Sequence, residues 1–180
     1  MPVHALSSIC RQKVKAAVPE FARNNHHATV VVIGDRGILI RGPSGAGKSS
    51  LAHSLIAQTS AFGIFARLVA DDQVWLVARH GRLVAHVPTA LAGLIEIAPM
   101  GPLPIAHEPA CCIDLVIDLE PAQMLGRMVA PDQISIEGLR VARLKLSQRN
   151  IVSVTAALQR ILVSPDLLGI FANSAQTAAL

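Results

Sequence analysis

Aromatic residues are scarce in this chain of 180 residues, which has no tyrosine and only 3% aromatic residues in all. Its core must therefore be built from alanine, valine, leucine and isoleucine, as in the buried strands of α/β proteins. Few rings are available to stack on bases, and the 16 lysines and arginines are scattered along the chain. We therefore expect no nucleic-acid partner, although a net charge of +4 suits a protein that holds phosphates.

Cysteines and long apolar runs are also few. The three cysteines, Cys10, Cys111 and Cys112, are odd in number and show no zinc-ligand spacing. We therefore expect them to be free thiols that pack as small buried hydrophobic residues in a reducing compartment. Prolines and charges interrupt every apolar run before it reaches the roughly 18 residues of a membrane-spanning helix. No apolar segment follows the basic residues near the N-terminus, as it would in a secretory signal. The sequence therefore predicts a cytoplasmic protein that does not enter a membrane.

One segment fits the G-x-x-x-x-G-K-[ST] template of a phosphate-binding loop at every fixed position. It consists of Gly42, Pro43, Ser44, Gly45, Ala46, Gly47, Lys48 and Ser49. In such a loop the glycines turn backbone N–H groups toward phosphates, the lysine reaches the β- and γ-phosphates, and the serine hydroxyl can ligate Mg²⁺. An accidental glycine- and serine-rich turn is the alternative. A predicted strand before the loop and a predicted helix after it favour the functional interpretation.

The order of predicted elements indicates an α/β fold, a P-loop kinase-like core with a mixed or parallel central sheet. Residues 28–33 and 37–41 predict a β-hairpin that leads into the loop. We expect an N-terminal extension over residues 1–26 with a short helix near 7–18, a catalytic domain over 27–163 and a C-terminal tail over 164–180. Within the domain we predict a helix from Ser50, strands at 66–70, 73–78, 82–87, 113–119 and 141–146, a helical turn at 88–94, a weak strand at 93–97, a helix at 151–163, and loops at 59–63, 98–104 and 124–136.

Three carboxylates are candidates for chemistry. Asp71 and Asp72 end a predicted strand, where α/β sheets place active sites, and consecutive residues of an extended strand point to opposite sides. A solvated strand end or a helix cap is their structural alternative. Glu96 stands alone between apolar neighbours ahead of a proline-rich loop, and it is either a site residue or a surface charge.

His27 and Arg149 complete the set of candidates. His27 precedes the hairpin that delivers the loop, whereas His53 on the helix and His80 in a turn are expected to be solvated. Arg149 lies between a strand and a helix, where its guanidinium could reach a phosphate or a carboxylate, or simply begin the helix.

In these blocks the sequence resembles the HPr kinase/phosphorylase family, the serine kinases of the phosphotransfer carrier protein HPr. The blocks are His27 with the hairpin and phosphate loop, Arg67 to Asp72, Gly93 to Ile97, and Arg149-Asn150. The resemblance covers residues 27–163 and corresponds to a short form with the catalytic C-terminal domain only. The order of the blocks is more specific than the loop, which many families share.

The resemblance implies a kinase of the phosphotransferase system that uses ATP and Mg²⁺ and has an HPr-like protein as its partner. It implies ATP binding by residues 42–49, with Ser50 next to them, and Mg²⁺ ligation by Ser49 and Glu96. By the same likeness Asp71 is the base on the incoming serine with Asp72 beside it, and His27 lies near the phosphate in the reverse phosphorolysis. The family is usually hexameric, and the loop after its glutamate contacts the partner.

The chain departs from the family pattern at several positions. Ser50 replaces a common acidic residue, and the segment between Ser49 and Asp71 looks longer, with residues 59–65 as the insertion. Ala98 and Leu146 stand where the family has arginines. Two other functions stay open on the sequence alone, a small-molecule or nucleotide kinase and an ATP-binding regulatory module without turnover.

Overall fold

The computed structural model describes residues 24–126 and 130–163. These residues form strands, two α-helices and two single 3₁₀ turns. The strands are β1 Asn24–His26, β2 Thr29–Ile33, β3 Arg36–Arg41, β4 Ala66–Ala70, β5 Val74–Arg79, β6 Arg82–His86, β7 Leu94–Ile97, β8 Gly101–Pro104, β9 Ala110–Glu120, β10 Asp132–Ile136 and β11 Leu139–Ser147. The helices are α1 Lys48–Ala61 and α2 Ile151–Val163, and the 3₁₀ turns are Thr89–Leu91 and Ala122–Met124.

Nine strands form one mixed sheet, and β7 and β8 pair separately. The main order is β1-β5-β6-β9-β3-β2-β4, with β11 also paired to β9 and β10 to β11. The long strand β9 runs parallel to β3 and to β11, whereas the other pairs in the sheet are antiparallel. The prediction of an α/β fold with a mixed central sheet, entered through the hairpin of β2 and β3, is confirmed.

The sheet separates two apolar cores, because successive residues of a strand face opposite sides. Val31 and Ile33 of β2 belong to the core under the helices, whereas Val30 and Val32 belong to the core on the other face. The stripe of α1 that includes Leu51 and Leu55 packs into the first core, as does Leu158 of α2. The phosphate-binding loop joins β3 to α1, so both of its ends are anchored in packed elements.

A register shift in β9 lies near the start of β3. Gly37 pairs with Ile113 and the next residue of β3 pairs with Leu115, so Asp114 is the extra residue. The Asp114 carboxylate accepts hydrogen bonds from the Gly37 N–H at 3.0 Å and from Arg82 at 2.7 Å. Burial raises the pKa of Asp114, while the Gly37 N–H and the Arg82 charge oppose this rise. The neighbouring Cys111 and Cys112 are buried, as expected, and Cys10 lies outside the described residues.

Three loop predictions were wrong. Helix α1 continues to Ala61, through part of the predicted loop at 59–63. Strand β8 occupies the end of the predicted loop at 98–104. It pairs with β7 alone, and such an edge strand tolerates prolines. Strand β10 lies within the predicted loop at 124–136, since alternate residues Ile134 and Ile136 face the second core.

Other predictions fall outside the described residues. These are the short helix near 7–18 and the tail at 164–180. The domain boundaries remain predictions, although residues 24–26 form β1 and pair with β5. Within residues 24–126 and 130–163, no helix has the length and apolarity to cross a membrane.

Candidate active site around the phosphate-binding loop

The backbone of the phosphate-binding loop takes the conformation that its glycines permit. Gly45 and Gly47 have φ angles of 72° and 97°, in the left-handed region that favours glycine. Gly47 is the residue before α1, and no side chain caps the helix there. The first N–H groups of α1 and the positive end of its dipole are therefore available to an anion such as phosphate.

Lys48 uses all its hydrogen-bonding capacity inside the site. Its ammonium nitrogen lies 3.1 Å from the Gly42 carbonyl oxygen, 3.2 Å from that of Pro43 and 2.9 Å from His27 Nε2. An ammonium group has three N–H donors and no acceptor, so His27 Nε2 must be the acceptor here. Burial lowers the pKa of Lys48, and the charges of Asp72 and Asp71 oppose this shift. A phosphate must replace at least one of these three contacts.

Asp71 is 5% exposed and connects three parts of the site. Its Oδ1 accepts hydrogen bonds from Thr29 Oγ1 at 2.6 Å and from Ser49 Oγ at 2.9 Å. Its Oδ2 accepts a hydrogen bond from the Glu96 backbone N–H at 2.9 Å. Three donors therefore fix this carboxylate beside the serine of the phosphate-binding loop.

Asp72 has a different environment from Asp71 because the chain turns sharply after β4. Asp72 has a φ angle of 65°, and the Gln73 N–H donates to the Asp71 carbonyl oxygen at 2.8 Å, which closes a γ-turn. The Asp72 side chain is 57% exposed, and its Oδ1 lies 2.8 Å from His27 Nδ1. Because His27 Nε2 accepts a hydrogen bond from Lys48, Nδ1 is the ring nitrogen that carries hydrogen. Nδ1 therefore donates a hydrogen bond to Asp72 Oδ1. Lys48, His27 and Asp72 thus form a hydrogen-bonded chain.

Arg149 contacts the phosphate-binding loop at the end of β11. It has a φ angle of 59°, its N–H donates to the Ala46 carbonyl oxygen at 3.1 Å, and its Nε donates to that of Gly45 at 3.4 Å. The exposed guanidinium therefore lies against the outer turn of the loop. This position joins the loop to the start of α2.

Most of the predicted site residues share one open cavity of about 390 Å³. Its lining consists of His27, Ser44, Gly45, Gly47, Lys48, Ser49, Ser50, Asp71, Asp72, Glu96 and Ala98. The remaining predicted residues do not line this cavity. Gly42 and Pro43 belong to the loop and accept hydrogen bonds from Lys48, and Ala46 of the loop accepts one from the Arg149 N–H. The structure thus brings together residues that lie up to 122 positions apart in the sequence.

Sequence reasoning missed Thr29, and it noted Ala98 only as a position where the family has an arginine. Thr29 falls within the predicted strand at residues 28–33 and is not singled out there, yet it is the one residue of β2 with a polar side chain. That exception in an otherwise valine- and isoleucine-containing strand was the available signal. Ala98 lines the cavity two residues after Glu96, at the position where the family resemblance implies an arginine.

The oxygen atoms of the site are suited to Mg²⁺. Ser49 Oγ and the Asp71 carboxylate lie in contact, and Glu96 lines the same cavity. In the described part of the chain no three His, Cys, Asp or Glu side chains are grouped to hold a metal ion by themselves. This agrees with the usual Mg²⁺ site of phosphoryl-transfer proteins, in which one or two protein oxygens act together with phosphates and water. The residues therefore fit a magnesium ion bound with a nucleotide.

Comparisons with known proteins agree with this geometry. Residues 20–154 match the family described as the HPr Serine kinase C-terminal domain, about three quarters of the chain. HPr kinase/phosphorylase of Lactobacillus acidophilus is 34% identical over 97 residues, 53% of this chain and 28% of the relative. HPr kinase/phosphorylase of Limosilactobacillus reuteri is 33% identical over 115 residues, 63% of this chain and 30% of the relative. The chain thus spans less than a third of the length of these relatives.

Among solved structures, the HPr(Ser) kinase/phosphatase from Coxiella burnetii has a similar fold. It superposes with a TM-score of 0.67 and 22% identity, over 78% of this chain and 97% of that chain. At this level of identity the likeness concerns the fold. The sequence match over residues 20–154, which includes the phosphate-binding loop, both aspartates and Arg149, assigns the chain to the HPr serine kinase C-terminal domain family.

Proposed function

We propose that this chain is a protein kinase that transfers the γ-phosphoryl group of ATP, in the presence of Mg²⁺, to a serine of an HPr-like phosphocarrier protein. The observation that carries the proposal is the cavity in which the phosphate-binding loop faces one buried and one exposed carboxylate. Phosphoryl transfer needs a phosphate cradle, oxygen ligands for a metal ion and a group that accepts the proton of the nucleophile. Family membership supports HPr as the class of partner.

In this proposal residues 42–50 hold the phosphates, and Lys48 exchanges its contact with His27 for a phosphate oxygen. Ser49 and Glu96 supply oxygen ligands to Mg²⁺, which neutralises charge on the phosphates when it is bound. Asp71 supports the same ligand set through its contact with Ser49 at 2.9 Å. Arg149 contacts the loop from outside the cavity and holds it in the conformation that cradles the phosphates.

The proton of the incoming serine goes to Asp72 in this proposal rather than to Asp71, the base that the family resemblance first implied. Three donors already surround the Asp71 carboxylate, whereas Asp72 is exposed in the cavity and has His27 to orient it. As the serine oxygen bonds to the γ-phosphorus, the bond to the β-phosphate oxygen breaks and ADP leaves. Asp72 accepts the serine proton and, in the reverse reaction, returns it.

The direct test is transfer of labelled γ-phosphate to the organism's own HPr-like protein, followed by identification of phosphoserine. Asp72→Asn should abolish transfer and retain the affinity for Mg²⁺ and ADP, whereas Asp71→Asn should weaken Mg²⁺-dependent ADP binding as well. Asp35→Asn, in the exposed turn before β3, is the matched control and should be unaffected.

Two outcomes would contradict parts of the proposal. Full transfer by Asp72→Asn would remove Asp72 from the role of proton acceptor. Nucleotide binding by the unmodified protein without transfer to any HPr-like protein would refute the partner, and would favour a small-molecule or nucleotide kinase or a regulatory ATP-binding module.

We further propose, on the family resemblance, a cytoplasmic homo-oligomer with six subunits and a capacity for phosphorolysis. Light scattering of the purified protein measures the number of subunits. Incubation with phosphorylated carrier and inorganic phosphate tests phosphorolysis through the release of pyrophosphate. This chain has Ala98 where the family pattern has an arginine. Phosphorolysis is therefore measured separately from the forward kinase reaction.

A further inference from the structure

A buried hydroxyl group lies behind the candidate active site. Thr29 is 0% exposed, and its Oγ1 donates to Asp71 Oδ1 at 2.6 Å. The other four residues of β2 are apolar and also buried. A hydroxyl in such surroundings costs free energy unless it is hydrogen-bonded, and Asp71 is the partner that satisfies it.

The contacts of Asp71 divide into two kinds. Thr29 and the Glu96 backbone N–H belong to β2 and β7 and hold one carboxylate oxygen each. Ser49 shares Oδ1 with Thr29, and it lines the cavity into which phosphates are expected to bind. The first two contacts are therefore fixed by the scaffold, whereas the third is the one that changes when Ser49 meets a metal ion.

We propose that Thr29 is a positioning residue for magnesium–nucleotide binding, which it supports through Asp71. The hydrogen bond from Thr29 holds the Asp71 carboxylate in its orientation toward Ser49, so that the Ser49 oxygen is presented to Mg²⁺. Partners that orient metal ligands in this way commonly contribute about 10- to 100-fold to metal affinity. The inference rests on the proposed function, because it assumes that the loop binds a magnesium nucleotide.

The test compares ADP affinity in excess EDTA with ADP affinity in excess MgCl₂, both by calorimetry. Thr29→Val keeps the shape of the side chain and removes the donor. It should lower the Mg²⁺-dependent gain in affinity by about 10-fold and leave the affinity in EDTA unchanged. Thr29→Ser restores a hydroxyl and should recover most of that gain.

Thr155→Val is the matched control. Thr155 is also 0% exposed, but its hydroxyl contacts Ser54 between the two helices, away from the cavity. This variant should lose stability without any change in the Mg²⁺-dependent gain. If Thr29→Val does not fold, Thr29→Cys replaces the hydroxyl with a weak donor of similar size and is measured in the same way.

The outcomes separate this inference from the proposed function. If the unmodified protein binds ADP equally well in EDTA and in MgCl₂, the proposed magnesium–nucleotide function itself is wrong. If Mg²⁺ strengthens ADP binding equally in the unmodified protein and in Thr29→Val, only the role of Thr29 is refuted. Equal weakening of Thr29→Val in both buffers would identify Thr29 as merely structural and would also overturn the inference.

Discussion

His86 should make the stability of this protein fall in mild acid. The side chain is 9% exposed, and its Nε2 has no hydrogen-bond partner. Burial, with a smaller contribution from the charge of Arg79, lowers the pKa of His86 from 6.5 to about 4. The folded protein therefore favours the neutral form of the His86 imidazole.

The direction of the effect follows from proton linkage. Below pH 6.5 the unfolded chain binds a proton at His86, whereas the folded protein does not bind it until about pH 4. The free energy of unfolding therefore falls as the pH drops through this window and is unaffected by His86 above it. At 1.36 kcal/mol per pKa unit, the loss is about 3 kcal/mol at most, and about 2 kcal/mol between pH 7.5 and pH 5.

The assay is urea unfolding at these two pH values, followed by tryptophan fluorescence. Trp75 is the single tryptophan and pairs with His86 across β5 and β6, so it reports on this part of the sheet. His86→Gln removes the titrating group and should remove about 2 kcal/mol of the pH-dependent difference. His53→Gln, on the exposed side of α1, should behave like the unmodified protein. If His86→Gln and the unmodified protein lose equal stability between pH 7.5 and pH 5, the reasoning is wrong.

Three further substitutions test separate parts of the structure. Lys48→Ala should weaken ATP binding at least about 10-fold in calorimetry, because a charged donor to phosphate is lost; unchanged affinity would contradict the phosphate-binding role. Gly37→Ala should lower the free energy of unfolding by about 2 kcal/mol or more in urea titrations, because its Cβ would lie 2.0 Å from the Cys112 carbonyl oxygen; an unchanged midpoint would contradict this packing. Thr59→Val should raise the melting temperature, because a buried hydroxyl without a hydrogen-bond partner costs about 1 kcal/mol. A lower melting temperature would mean that the Thr59 hydroxyl does form a hydrogen bond, and would contradict this prediction.

The parts of the fold that were predictable from the sequence depend on local interactions. Helix α2 has the predicted bounds, residues 151–163, because its apolar spacing is regular over three turns. The hairpin of β2 and β3 and the start of α1 next to the loop were also predicted, since turn residues and the phosphate-loop template mark their ends. In these elements the residues that determine the structure lie within one short window of sequence.

Elements that depend on a distant partner were not predictable in this way. Strand β10 contains an aspartate, a glutamine and a serine, and it becomes a strand because β11 pairs with it over the second core. Strand β8 carries prolines at positions 102 and 104, and only its pairing with β7 makes it regular. In both segments, pairing with a neighbouring strand overrides the low strand propensity of the local sequence, and the local sequence does not predict that pairing.

The two aspartates show why residue roles are harder to predict than the site itself. In sequence Asp71 and Asp72 are equivalent neighbours, and their separation into a buried and an exposed carboxylate follows from the γ-turn at Asp72 and from donors far along the chain. Thr29 lies 42 residues before Asp71, and Glu96 lies 25 residues after it. At position 71, Asp→Asn would replace one acceptor oxygen with an NH₂ group that faces a buried donor, whereas the same change at position 72 would alter a half-exposed pair with His27. The two substitutions therefore test different chemistry, the support of the metal ligands in one case and proton transfer in the other.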